Sequence, residues 1–95
     1  MIYCLMVPKM TDDAVRRRRI AFGKRLRTLR AEAGKSQAEV AAAAGTDRSF
    51  YVGVEAGYRN ISIDKVFLIA DALGVDVALL FSDLPGRADR TRMNS

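Results

Sequence analysis

Residues able to do chemistry are few in this chain, and they are of one kind. There is no histidine, a single cysteine (Cys4), and sixteen Lys and Arg against eleven Asp and Glu. Without histidine the commonest general base and metal ligand is missing. A lone cysteine supports neither an internal disulfide framework nor a Cys-based zinc site. No nucleophile–base pair, metal cluster or phosphate-cradling glycine loop can be assembled from the sequence. The expectation is a protein that is not an enzyme and uses no metal or cofactor. What remains is cation and hydrogen-bond chemistry, concentrated in Ser36-Gln37, Arg48-Ser49 and Tyr58-Arg59-Asn60. A guanidinium fork suits the O6 and N7 atoms of guanine. Gln37 and the amides that begin its helix suit a phosphate oxygen, because a helix N-terminus attracts anions. The net charge of +5 and pI near 9.9 favour a polyanionic partner, nucleic acid before membrane. A merely soluble basic domain is the other reading of the charge alone.

These residues need elements to position them, and the stretch 34–57 supplies two. Ser36 followed three residues later by Glu39 is the capping-box pattern that opens a helix. The alanines from Ala38 to Ala44 favour helix and close packing, and Gly45 permits a left-handed turn. Thr46-Asp47 then starts a second helix, with apolar positions at Phe50, Tyr51 and Val54, and Gly57 ends it. Helix, glycine turn, helix is the layout of a helix-turn-helix unit.

The flanking sequence completes a small domain. Thr11-Asp12-Asp13 predicts a helix start with carboxylates at the positive end of the dipole, and the helix runs to about Ala33, closed by Gly34. Its apolar stripe is Val15, Phe22, Leu26, Leu29 and Ala33. The Arg16–Arg19 run reads either as phosphate-contacting or as a solvated helix face. Ser62 caps a further helix with Ile63, Val66, Ile69, Ala70 and Leu73 on its inner face, stopped by Gly74. Asp76 caps a last short helix, Val77 to Phe81, with Val77, Leu80 and Phe81 turned inward. Phe67, Leu68, Val75, Leu79 and Leu84 widen the apolar surface beyond what such a core requires, as a partner face does; extra core is the other reading. Residues 1–10 read as an N-terminal extension, either a disordered or start-site artefact ahead of Met10 or an ordered arm. The domain is expected over 11–84 and a flexible tail over 85–95. No apolar run approaches the ~20 residues of a membrane span, which reads as a cytoplasmic, bacterial-style protein.

From about Phe22 to Phe81 the sequence resembles the Cro/repressor-type (XRE) helix-turn-helix domain of bacterial and phage transcription regulators. The ordered set that carries the resemblance is Ser36-Gln37, small Ala41 and Ala44, turn Gly45, Glu55-x-Gly57 and Ile69-Ala70-x-x-Leu73. The Arg59-Asn60 loop and compact size are similar to the controller proteins of restriction–modification systems. The resemblance implies an all-α, compact five-helix bundle of the phage-repressor type, whose second and third helices form the reading unit. It implies that Arg48, Ser49, Val52 and Gly53 face DNA bases. Gln37 would touch the DNA backbone, Ser36 beginning the same helix, and Tyr58, Arg59 and Asn60 would grip neighbouring phosphates. Arg30 and Glu55 match a partly buried ion pair.

Two positions depart from the family pattern. Gly53 stands where a long polar side chain is common, which suggests either close approach to DNA or tight internal packing. Tyr51 replaces a branched aliphatic; its ring is expected in the core and its hydroxyl at the rim with a partner. The partners expected are double-stranded DNA and a second copy of the chain, joined through Phe67, Leu68, Val75, Leu79 and Leu84, with no small-molecule ligand evident. The alternative is an antitoxin or other protein-interaction module.

Overall fold

The computed structural model describes residues 12–82 and 84. The expectations for the N-terminal extension, for Thr11 and for the tail over 85–95 lie outside these residues. Four α-helices are followed by a 3-10 helix: α1 Asp12–Ala33, α2 Gln37–Ala43, α3 Arg48–Ala56, α4 Ile63–Leu73, then Val77–Phe81. The all-helical bundle is the one expected, with its fifth element wound as 3-10 rather than α. That element has only five residues, and its opening bond, Leu79 N–H to the Asp76 carbonyl at 2.9 Å, closes the tighter i→i+3 ring.

Local chemistry sets most helix ends. The Ser36 hydroxyl accepts from the Glu39 amide at 3.0 Å while the Glu39 carboxylate accepts from the Ser36 amide at 2.7 Å, the reciprocal capping box. Ser62 accepts from the Lys65 amide at 3.2 Å. Asp47 behaves differently: its side chain makes no cap bond and instead accepts from the Ser49 hydroxyl at 3.2 Å. No helix of the described residues is long and apolar enough to cross a membrane.

The core gathers one face from every element. Leu26, Val40, Tyr51, Val54, Ile69 and Leu80 are all essentially inaccessible. Three inward expectations fail. Ala33, the last residue of α1, is exposed, because the buried stripe of that helix ends at Leu29. Ile63 begins α4 and is 62% exposed, because Val66, Ile69, Ala70 and Leu73 already define that helix's buried face. Phe81 is 48% exposed; its ring meets Phe22 at 5.4 Å between centroids but only one side is covered. Long side chains tie the elements across their ends. Arg25 Nε donates to the Leu79 carbonyl at 2.8 Å, and the ammonium groups of Lys35 and Lys65 donate to the carbonyls of Ala72 and Gly45.

α1 and the end of α3 cross closely, and the crossing depends on two glycines. A Cβ on Gly23 would strike the backbone carbonyl of Glu55, with the Glu55 carbon at 2.6 Å and the Val54 oxygen at 2.8 Å. Gly57 has φ of 92° and would place a Cβ 2.5 Å from Ile20 Cγ1. The neighbours of Gly23 are backbone atoms, which have no rotamer in which to move aside. Gly23→Ala should therefore destabilise the fold by about 3 kcal/mol, the upper part of the overpacking range, even though alanine is the better helix former. A urea midpoint unchanged from the parent would show that the two helices can separate freely.

Candidate nucleic-acid interface

The outward surface of α3 follows from what the helix buries. Tyr51, Val54 and Glu55 face inward. At about 100° per residue, this leaves Arg48 and Ser49 exposed on the first turn, with Val52 half-buried one turn later. Arg48 makes no hydrogen bond or ion pair with any described residue, so its guanidinium is available. Ser49 Oγ already donates to Asp47, which leaves its lone pairs for a partner's donor.

Gly53 has a neighbour that the sequence did not reveal. It lies beside Ser49 on the helix surface but is buried, and a Cβ there would sit 2.5 Å from Arg59 Cγ. The stem of Arg59 folds back across the glycine, filling the room that the sequence suggested for close approach of DNA. The neighbour that a Cβ here would meet is a side chain from the following loop rather than another helix. Sequence reasoning found both residues and missed their contact; a glycine six residues before an arginine carries no recognisable signal of it. Tyr58 is 69% exposed on the same loop. Asn60 is also exposed, and its side-chain oxygen accepts from the Ile61 amide at 2.8 Å, which shapes the loop.

Beneath this surface lies a buried carboxylate. Glu55 is 2% exposed. Arg30 grips it with two donors, Nε to Oε2 at 2.7 Å and Nη2 to Oε1 at 3.0 Å, the planar fork geometry of a strong charge-assisted pair. A third donor of Arg30 reaches the Lys35 carbonyl at 3.0 Å. Gln37 Nε2 also donates to Glu55 Oε1 at 3.0 Å. Gln37, expected on the DNA backbone, is thus held by α3, and its remaining carbonyl and amide proton are what it can offer outward. Arg27 stands 3.9 Å from the same oxygen but is largely solvent-exposed, so it adds little.

Tyr51 departs from expectation. Its ring is in the core, but its hydroxyl is buried at this ion pair without a well-formed hydrogen bond, not at the rim. Burial, and after it the neighbouring Glu55 carboxylate, push its phenol far above the ordinary range. For Glu55, burial raises the pKa, but the hydrogen bonds from Arg30 and Gln37 outweigh it and hold the carboxyl below its usual 4.5. Arg30 is held above its own ordinary value by its bond to Glu55.

The apolar partner face is more mixed than expected. Phe67, Leu68 and Leu79 are exposed, at 51%, 42% and 40%. Val75 and Leu84 instead pack partly buried against the core. Ile63 and Phe81 are the large exposed apolar residues that the sequence placed inside.

The network has a pH signature. Glu55 in the folded state titrates below 4.5, so the unfolded chain binds more protons there and stability rises with pH. The contribution of this carboxylate is complete above the unfolded pKa and disappears as pH falls through the folded one. Glu55→Gln should cost about 2 kcal/mol at neutral pH, less than the ~3–5 kcal/mol of a fully buried broken pair because Arg30 reaches solvent. The variant should also lose less stability than the parent between pH 5 and pH 3. Parallel stability–pH curves for the two proteins would remove Glu55 from the acid response.

With the geometry in place, comparison with known proteins is informative. The helix-turn-helix family profile matches residues 26–80, more than half of the chain. The control protein C.MunI from Mycoplasma sp. is 39% identical over 67 residues, spanning 70% of this chain and 90% of the relative. The crystal structure of the restriction–modification controller protein C.AhdI from Aeromonas hydrophila superposes with a TM-score of 0.64 at 44% identity, covering 65% of this chain and 94% of that one. A hypothetical transcription factor from Neisseria, NHTF, gives a TM-score of 0.66 at 29% identity over 96% and 99% of the two chains. The α2–α3 unit, the Glu55 network and these likenesses agree: the chain belongs to the XRE-type helix-turn-helix family, with controller proteins of restriction–modification systems among its relatives.

Proposed function

We propose that the protein is a sequence-specific transcriptional regulator that binds double-stranded DNA as a homodimer on a pseudo-palindromic operator. The observation that carries this reading is the exposed first turn of α3, where Arg48 stands unpaired beside Ser49 on a helix braced from behind by the Arg30–Glu55 pair. A recognition helix presents this turn to base edges in the major groove. A bidentate arginine–guanine contact there is worth about 1–3 kcal/mol of discrimination. Val52 adds an apolar surface for a thymine methyl. Ser36, Gln37, Tyr58, Arg59 and Asn60 serve the flanking phosphates, which set register without carrying sequence information. Membership of a family that includes controller proteins supports the same reading.

Dimerisation is part of the proposal because one unit of this size offers too few base contacts for genomic specificity, and two copies about one helical turn apart provide enough. The exposed Phe67, Leu68 and Leu79 supply an apolar face for the second copy.

The division of labour is open to test with a randomised duplex library. Arg48→Ala should relax preference at one position per half-site, costing about 1–3 kcal/mol there. Arg59→Ala should weaken all sequences alike and flatten the salt dependence. Gly53→Ala should reproduce the Arg59→Ala loss, since its Cβ displaces the Arg59 stem, and should add nothing in the Arg59→Ala background. Identical profiles for Arg48→Ala and Arg59→Ala would defeat the assignment. Leu68→Asp should yield monomers by light scattering, and a variant that remains dimeric would take this residue out of the interface.

A further inference from the structure

The first two turns of α1 lie ahead of the segment that matches the helix-turn-helix family, which starts at residue 26. They carry Arg16 to Arg19 against Asp12 and Asp13, leaving two net positive charges. The fold does not leave this run projecting away from the site. α1 crosses the end of α3 at Gly23 and Gly57, where the backbones come close, and its upstream turns run on beside the loop that follows α3. Arg16 and Arg19 line a cleft with Gly57 and Tyr58, with Asp12 and Asp13 also on its wall. Arg19 lines a second groove, together with Arg18, Arg59 and Asn60. Arg19 therefore stands on the rim of both clefts, the second of which is otherwise floored by apolar side chains such as Phe22, Val54 and Ile61, and it places α1 cations beside the loop at 58–60.

Resting on the DNA-binding reading above, we propose that Arg16 and Arg19 form a second phosphate-binding surface, which extends the DNA contact beyond the helix-turn-helix and its following loop. Three features argue for it. Arg16 and Arg19 make no hydrogen bond or ion pair with any described residue, so no close contact ties their guanidinium groups to the aspartates on the same cleft wall. Four consecutive arginines place charge around nearly the whole helix circumference, yet the crossing at Gly23 directs Arg16 and Arg19 to the side where Tyr58 and Arg59 stand. And the two clefts are contiguous with the loop assigned to phosphates, so a backbone held at 58–60 passes within reach of long side chains from α1. Such contacts raise affinity for any sequence and appear in the salt dependence, since each neutralised phosphate releases condensed counterions.

The test uses the full chain and a fluorescent duplex selected from the randomised library by the parent protein. Salt titrations of binding are compared for the parent, Arg16→Ala/Arg19→Ala, the charge-keeping Arg16→Lys/Arg19→Lys, and Lys24→Ala. Lys24 sits on α1 in a separate cleft with Thr28 and Ser82. The alanine pair should make the log–log slope shallower by about two per protomer, following the ~0.9 per phosphate of duplex DNA. The lysine pair and Lys24→Ala should keep the parental slope. Ethylation interference should show phosphates whose modification blocks the parent but not the alanine pair. An unchanged slope in the alanine pair, or an equal loss per charge in Lys24→Ala, would overturn the proposal while leaving the α3 reading standing. A parent protein that binds no duplex at low salt would instead defeat the α3 reading itself.

Discussion

One buried negative charge organises this molecule. Glu55 sits near the end of α3, 2% exposed, where an unpaired carboxylate would be strongly destabilising. Arg30 from α1 and Gln37 from α2 converge on it at 2.7–3.0 Å. Three helices that share few residues in sequence are therefore tied at a single point. The geometry of a guanidinium fork is narrow, so the pair specifies an angle between helices as well as holding them together. A hydrophobic contact of the same size would tolerate sliding.

The outer surface inherits its arrangement from that anchor. With Glu55, Tyr51 and Val54 turned inward, Arg48 and Ser49 have only one side of the helix left to occupy. Glycines complete the arrangement by letting backbones and stems come close. Gly23 and Gly57 let α1 run against the end of α3, and Gly53 lets the Arg59 stem lie on the recognition helix. The second of these brings a loop cation onto the same face as Arg48. The first brings the arginine-bearing turns of α1 alongside the loop.

Much of this was legible from the chain. The Ser36–Glu39 box, the Ser62 and Asp76 caps and the glycine stops act within a few residues of themselves, and each appears where the residue types place it. The Arg30–Glu55 pair was available only through resemblance, since the two residues are 25 apart and nothing local joins them. The exposure of Ile63 and Phe81 was misread because periodicity identifies which residues share a face but not how far the neighbouring elements extend over its edges. Tyr51 shows the same limit. Its ring position followed from the pattern, while the environment of its hydroxyl depended on two other helices.

The amino-acid sequence alone determined the number of helices, their ends, the charge sign of the surface and the absence of histidine chemistry, because these depend on residue type and on contacts a few positions apart. Tertiary structure decided that Gly53 serves Arg59, that Gln37 bonds Glu55, that Gly23 abuts the Glu55 backbone, and that Arg19 stands beside Arg59. Each of those is a contact between distant segments. Its geometry is set by how helices cross, and crossing angles come from the combined packing of all the side chains between them.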